Sequence, residues 1–304
     1  MNTWRTLRPL YGGVTVVFGD TDKPLQSDIM IANMITSPLR SPVNPSISFD
    51  DLAPSFRVAE PFPHVVIDNF LTSDVADAIA AEFPDFDGPV WSEYNNALEV
   101  KKSCNHWDRF PQTTYKLFSY LNSNAFVSEM SKLADGTLYP DPGLHGGGWH
   151  THGVGGKLNI HLDYSIHPKS GLERRLNLIL YIQPDWKMEW GGSLGFWAHD
   201  DQRKAPGALI REVPCLFNRA VIFDTSKNSW HGLPEPVLCP PDKPRNSLAV
   251  YYLCEPRKAT SDRGRALFAP HGDQANDPEI LELIKLRGQV QTSSSVYRQR
   301  KNNP

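Results

Sequence analysis

The chain has 304 residues, with 31 Lys+Arg against 34 Asp+Glu and a formal net charge of -3. That balance gives no support for a nucleic-acid-binding face, so no nucleic-acid partner is expected. Hydrophobic residues are 40% and aromatics 11%, enough for a sizeable core, which excludes a disordered or fibrous chain. No apolar run approaches the roughly 18 residues of a membrane span, so no membrane association is expected.

Residues 1–50 hold Pro9, Pro24, Pro38, Pro42 and Pro45 without sustained periodicity and read as an extended N-terminal arm. Phe62–Phe70 reads as a strand. Thr72-Ser73-Asp74 then offers a helix N-cap signal before Val75, Ala76, Ile79, Ala80 and Phe83 at helical spacing. Residues 112–134 read as a helical region broken at Asn122-Ser123-Asn124. A glycine-rich stretch follows between Gly143 and Gly156, read as a loop. Alternating runs come next: Lys157–Asp163, Arg174–Gln183, Ser193–Ala198, Leu209–Val213, Arg219–Asp224 and Asn246–Cys254. Short strands separated by turn signals predict a sandwich or barrel. The division is an arm over 1–50, a domain over 51–260 that begins with supporting helices, and a C-terminal helix (Pro278–Arg287) with a basic tail over 261–304. Cys104, Cys215, Cys239 and Cys254 form no CxxC pair, which fits reduced thiols in a cytoplasmic protein.

Five of the ten histidines fall between positions 145 and 167. Within that region, His161-Leu162-Asp163 lies in a run of strand character. Alternation puts the imidazole and the carboxylate on one face and Leu162 on the other. These are two corners of a 2-His-1-carboxylate triad, and His231 in Ser229-Trp230-His231-Gly232 is the best candidate for the third. Arg245 and Ser247 share a face of the last long strand, a guanidinium fork and a hydroxyl that together suit a carboxylate. In Arg175–Tyr181, Leu176, Leu178 and Leu180 form one apolar face that predicts packing under helices. Asn177 and Tyr181 lie opposite, where a site can be lined.

His161-Leu162-Asp163, YIQPDW…GG (181–192), SWHG (229–232) and RNSLAVYY (245–252) resemble, in order and spacing, the Fe(II)/2-oxoglutarate-dependent dioxygenases, with the prolyl-4-hydroxylase-like branch as the nearest match. The resemblance spans roughly residues 60–256. It implies a mainly β fold, a double-stranded β-helix (jelly-roll) core with flanking helices. It implies Fe(II) held by His161, Asp163 and His231, with 2-oxoglutarate and O2 as cosubstrates. Arg245 matches the basic residue for the distal carboxylate of 2-oxoglutarate, with Tyr181 and Ser247 assisting and Asn177 beside them. Related halogenases carry a small residue at the carboxylate position, so Asp163 favours hydroxylation. The expected substrate is a small-molecule or peptidyl one of prolyl or amino-acid type. The same chemistry on a glycan, nucleotide or secondary metabolite, and a non-catalytic jelly-roll binding module, are the alternatives. The sequence assigns no oligomeric state.

For substrate contact, the glycine-rich stretch predicts a mobile rim bearing Trp149, His150 and His152, with Trp107 as a further candidate.

Overall fold

In the computed structural model, residues 41–289 are described except Ala259 and Asp262. The first forty residues of the expected arm lie outside the described residues, as do Arg298, Arg300 and Lys301 of the basic tail. The described residues from Pro42 onward belong to one compact unit, so Pro42–Asp50 is part of the folded body: Val43 bridges Leu71, and Val43 and Phe49 are buried.

In chain order the elements begin with α1 (Phe49–Val58), β1 (His64–Ile67), α2 (Ser73–Glu82), β2 (Ser92–Asn95) and β3 (Glu99–Cys104). They continue with α3 (Gln112–Leu121), α4 (Asn124–Ala134), β4 (Tyr139–Pro140), β5 (Gly148–His152), β6 (Lys157–Leu158) and β7 (His161–Leu162). The last group is β8 (Glu173–Tyr181), β9 (Leu194–Asp200), β10 (Ala205–Val213), β11 (Ala220–Asp224), β12 (Trp230–Gly232), β13 (Arg245–Cys254), β14 (Leu267–Phe268) and α5 (Pro278–Gly288). The helical region after residue 112 breaks where expected, and the Ser123 hydroxyl caps α4 by accepting from the Phe126 amide.

Two antiparallel sheets result. The larger runs β1-β11-β8-β13-β5-β3-β2, with β4 on β13 and β6 on β3; the smaller runs β10-β9-β12-β7-β14. Leu176, Leu178 and Leu180 of β8, Leu248, Val250 and Tyr252 of β13, and Ala220 and Ile222 of β11 join Phe56, Phe118 and Phe126 in the helix-side core. Opposite parity sends Val221, Phe223 and Tyr181 into a second cluster with Leu194, Phe196 and Val213 of the smaller sheet. β11 is thus buried on both faces, which is why it reads as an unbroken apolar run. This is the jelly-roll arrangement that the resemblance implied, within the sandwich or barrel that the strand pattern predicted: helices on the outside of one sheet, and the site between the two.

The run Lys157–Asp163 is not one strand. β6 pairs with β3 in the larger sheet, the chain turns at Asn159-Ile160, and β7 pairs with β12 and β14 in the smaller one. This switch of sheets delivers His161 to the space between them.

Candidate active site

β7 and β12 pair with His161 directly opposite His231, and the two ring centroids are 4.3 Å apart. Each imidazole is fixed by a backbone carbonyl two residues upstream: His161 Nδ1 lies 3.0 Å from Asn159 O and His231 Nδ1 lies 2.8 Å from Ser229 O. A carbonyl only accepts, so Nδ1 carries the proton and Nε2 keeps its lone pair for another partner. Those two Nε2 atoms converge on one carboxylate, His161 Nε2 at 3.8 Å from Asp163 Oδ1 and His231 Nε2 at 3.8 Å from Asp163 Oδ2. One donor atom from each residue lies within 4.8 Å of the others, and all three residues are buried. Asp163 Oδ2 has no hydrogen-bond partner.

Electrostatics favours the protonation states that bind a cation. Burial and the nearby His231 push the His161 imidazole down to about 3, against the pull of Asp163. Burial also lowers His231. For Asp163, burial pushes upward, but Arg174, His231 and His161 hold the carboxyl below its ordinary value. Two neutral imidazoles and a carboxylate therefore face one another.

The inner face of the larger sheet lines the rest of a cavity of about 220 Å³. Register fixes the rows: His150 of β5 lies opposite Ser247 of β13, which lies opposite Tyr181 of β8. On the same face His152 faces Arg245 in the adjoining row, and Asn177 faces Tyr251 two rows along in the other direction. Arg245, 4% exposed, donates from Nε to the Gly192 carbonyl at 2.6 Å. Its guanidinium carbon lies 4.8 Å from the Tyr181 ring centroid. The Tyr181 hydroxyl, Asn177 Oδ1 and both His152 ring nitrogens are buried without a hydrogen-bond partner. Burial raises the Tyr181 phenol to about 12, although Arg245 opposes it, so the hydroxyl stays a donor. Asn177 and His152 line the cavity, and their unsatisfied buried atoms mark a place where a polar ligand completes the bonding. Tyr181 lies beside Arg245 in the apolar cluster between the sheets and is not among the lining residues.

Residues 147–253, which carry all the groups just named, match the family model of the 2OG-Fe(II) oxygenase superfamily. The part of the cavity that holds His161, Asp163, His231 and Arg245 is therefore similar to that family. Within the chain, 106 residues (33% of it) are 31% identical to prolyl 3-hydroxylase OGFOD1 of Xenopus laevis, and the match spans 20% of that relative's length. A prolyl-4-hydroxylase of Pseudomonas putida superposes at TM-score 0.50 with 14% identity, over 69% of this chain and 100% of its own, a likeness of fold. A prolyl hydroxylase from Trichoplax adhaerens, solved with a hypoxia inducible factor peptide fragment, superposes at TM-score 0.46 with 14% identity, over 76% and 94%.

The strand pairing corrects the expected substrate rim. Gly148–His152 is not loop but β5, hydrogen-bonded to β13 on one side and β3 on the other. Gly148 has φ +89°, and a Cβ there would collide with the Cys104 carbonyl, so the glycine serves close strand approach rather than hinging. Parity then separates the three candidates. His150 and His152 line the cavity, and burial lowers His150 to about 3. Trp149 points the other way, 1% exposed, into the helix-side core, with the rings of Phe110 and Phe83 at 4.9 and 5.6 Å. It is a packing residue. Trp149→Ala is expected to cost about 3–5 kcal/mol of stability, seen as a lower urea midpoint. A midpoint unchanged from wild type would contradict this placement. Trp107 also leaves the substrate set: it packs on Phe110, Tyr115 and Phe118, bonds the Pro142 carbonyl and does not line the cavity.

Several cavity residues carry no signal of their own in the sequence. β3 turns Glu99, Lys101 and Ser103 inward, visible as polar residues at i, i+2 and i+4 of EVKKSC once that segment is recognised as a strand. Lys101 Nζ lies 3.1 Å and Arg287 Nη1 2.6 Å from the buried Glu99 carboxylate. Phe268 of β14 stacks on His161 at 5.1 Å. The C-terminal segment thereby closes one side of the cavity.

Proposed function

We propose that this protein is an Fe(II)- and 2-oxoglutarate-dependent dioxygenase that hydroxylates an unactivated C–H bond of a prolyl or amino-acid-type substrate, free or peptidyl, in the cytoplasm. The observation that carries this reading is one cavity lined both by two imidazoles and a carboxylate that converge on one another and by a buried guanidinium with a serine hydroxyl on the same strand face. The donor set fits Fe(II), and the Asp163 Oδ2 atom without a partner is the place for one of its bonds. When bound, Fe(II) with 2-oxoglutarate and O2 supplies the oxidising chemistry, and the oxo acid leaves as succinate and CO2.

The chain's own residues bind, orient and shield. Arg245 spends Nε on Gly192, which leaves the two Nη groups to grip the distal carboxylate, with Tyr181 and Ser247 adding neutral donors. Asn177 supplies a further polar contact on the same wall. Asp163 keeps the carboxylate position filled, which favours hydroxylation over halogenation. Burial of all three ligands excludes bulk water from the reacting centre. The four free, buried cysteines support a reducing compartment.

The test is succinate release from 2-oxoglutarate with anaerobically loaded Fe(II), screened against prolyl peptides, free amino acids, glycans and nucleotides. Iron-dependent succinate release that a prolyl or amino-acid substrate stimulates is the expected result. Absence of iron binding and of any 2-oxoglutarate turnover overturns it.

Gly192 supplies a finer check. Its φ is +69° and a Cβ there would sit 2.8 Å from Arg245 Cδ, so any side chain pushes the guanidinium aside. Strain of about 1–3 kcal/mol at such a position predicts that Gly192→Ala raises the KM for 2-oxoglutarate about fivefold or more, with Fe(II) affinity unchanged. An unaltered KM in the folded variant refutes this role for Gly192.

A further inference from the structure

Arg174 lies at the start of β8 and is 2% exposed. By simple alternation it would share the helix-side face with Leu176, Leu178 and Leu180. It does not, because the register slips: Leu176 pairs with Tyr252, yet Arg174 pairs with Leu253. Two residues of β8 are spent against one of β13, a β-bulge, and the bulge turns Arg174 over to the cavity face. Arg175 is left to pair with Asp224 instead.

Once inside, the guanidinium is held at both Nη atoms and on both faces, while its buried Nε has no hydrogen-bond partner. Its carbon lies 3.4 Å from the Tyr164 ring centroid and 3.3 Å from that of Tyr251, one aromatic ring on each face. Nη2 donates to the His145 carbonyl at 2.6 Å, and Nη1 lies 3.5 Å from Asp163 Oδ1. The Tyr251 hydroxyl donates to the same Oδ1 at 3.5 Å. Arg263 Nε holds the Asp163 backbone carbonyl at 2.9 Å. Oδ1 is therefore tethered, while Oδ2 faces His231 Nε2 without a partner of its own.

We propose that Arg174 is a positioning residue for the metal centre: sleeved between Tyr164 and Tyr251, it holds Asp163 in the one orientation that presents a carboxylate oxygen to the His161 and His231 nitrogens. The proposal rests on the reading of those three residues as metal ligands. Only arginine satisfies the geometry. A planar fork lies flat between two rings and bonds a carbonyl and a carboxylate at once, whereas a lysine ammonium is a point charge that reaches one of them well. Burying a cation here is costly, and the carboxylate beside it offsets that cost.

The experiment measures Mn(II) affinity of the full chain by competition with a chromophoric chelator, and records thermal unfolding in chelator. Arg174→Met is expected to weaken Mn(II) binding about 10- to 100-fold. Arg174→Lys should fall between Met and wild type, because it keeps the charge and loses the fork. Tyr251→Phe, which removes one tether of Oδ1 and keeps the sleeve, should weaken binding by a smaller factor. If Arg174→Met does not fold, the lysine and phenylalanine variants decide. Variants that bind Mn(II) within twofold of wild type, in a protein whose His161→Ala form does not bind, overturn the role of Arg174 alone. A wild type without a Mn(II) site overturns the metal reading and this proposal with it.

Discussion

His161→Ala or His231→Ala is expected to bring Fe(II)-dependent succinate release down to background while the chain stays folded. The two imidazoles face each other across β7 and β12 and are held by carbonyls of their own chains, so each ring is preorganised and neither neighbour can take its place. Loss of a partner behind a metal ligand costs 10- to 100-fold in affinity; loss of the ligand itself costs more. The fold should survive because the rings sit between the sheets, apart from the helix-side core that carries most of the apolar burial. Asp163→Gly should end hydroxylation as well, and opens a position for an anion beside the metal. The measurements are iron content after anaerobic loading, succinate release, and far-UV dichroism as the control for folding. Full turnover by either histidine variant at saturating Fe(II) removes that residue from the triad.

How legible these features were depended on how each strand meets its neighbours. β8 could be read because one face meets helices and the other faces the space between the sheets: Leu176, Leu178 and Leu180 alternate with Asn177, which lines the cavity, and Tyr181, which packs beside it, and the period shows. β5 could not be read, since the glycines that let its backbone approach β3 and β13 are the residues that otherwise mark flexible loops. That misreading put Trp149 on the same side as His150, where a strand necessarily separates them. β3 was hidden for another reason. Glu99 and Lys101 look like surface charges until Arg287, remote in sequence, is brought beside them. α1 was masked by Pro54 inside the helix and by the proline-rich segment before it, although Ser48 caps its first turn. The bulge that redirects Arg174 left no mark in the sequence, because its register is set by pairing with β13. The triad was legible for the opposite reason. His161 and Asp163 are two residues apart, and they converge with His231 even though β7 ends at Leu162.

The KM for 2-oxoglutarate should rise well over tenfold in Arg245→Ala. The residue is 4% exposed, lies beside the Tyr181 ring and is anchored by the Gly192 carbonyl. A charge pair formed in such a place is desolvated, and deleting one partner costs about 2–5 kcal/mol, equivalent to roughly thirtyfold or more. The loss should appear in KM before kcat, because the distal carboxylate lies away from the reacting carbon and its contact is the same in ground and transition states. Arg245→Lys should recover part of the loss, since it restores the charge but neither the fork nor the bond to Gly192. Fe(II) affinity measured without cosubstrate should be unchanged, because His161, Asp163 and His231 hold their geometry through contacts that exclude Arg245. Steady-state succinate release across a 2-oxoglutarate titration, with Mn(II) binding in parallel, separates the two effects. A wild-type KM in folded Arg245→Ala would move the anchor to another cation of the cavity, and Lys101, whose Nζ lies 3.1 Å from Glu99, would be the next residue to replace.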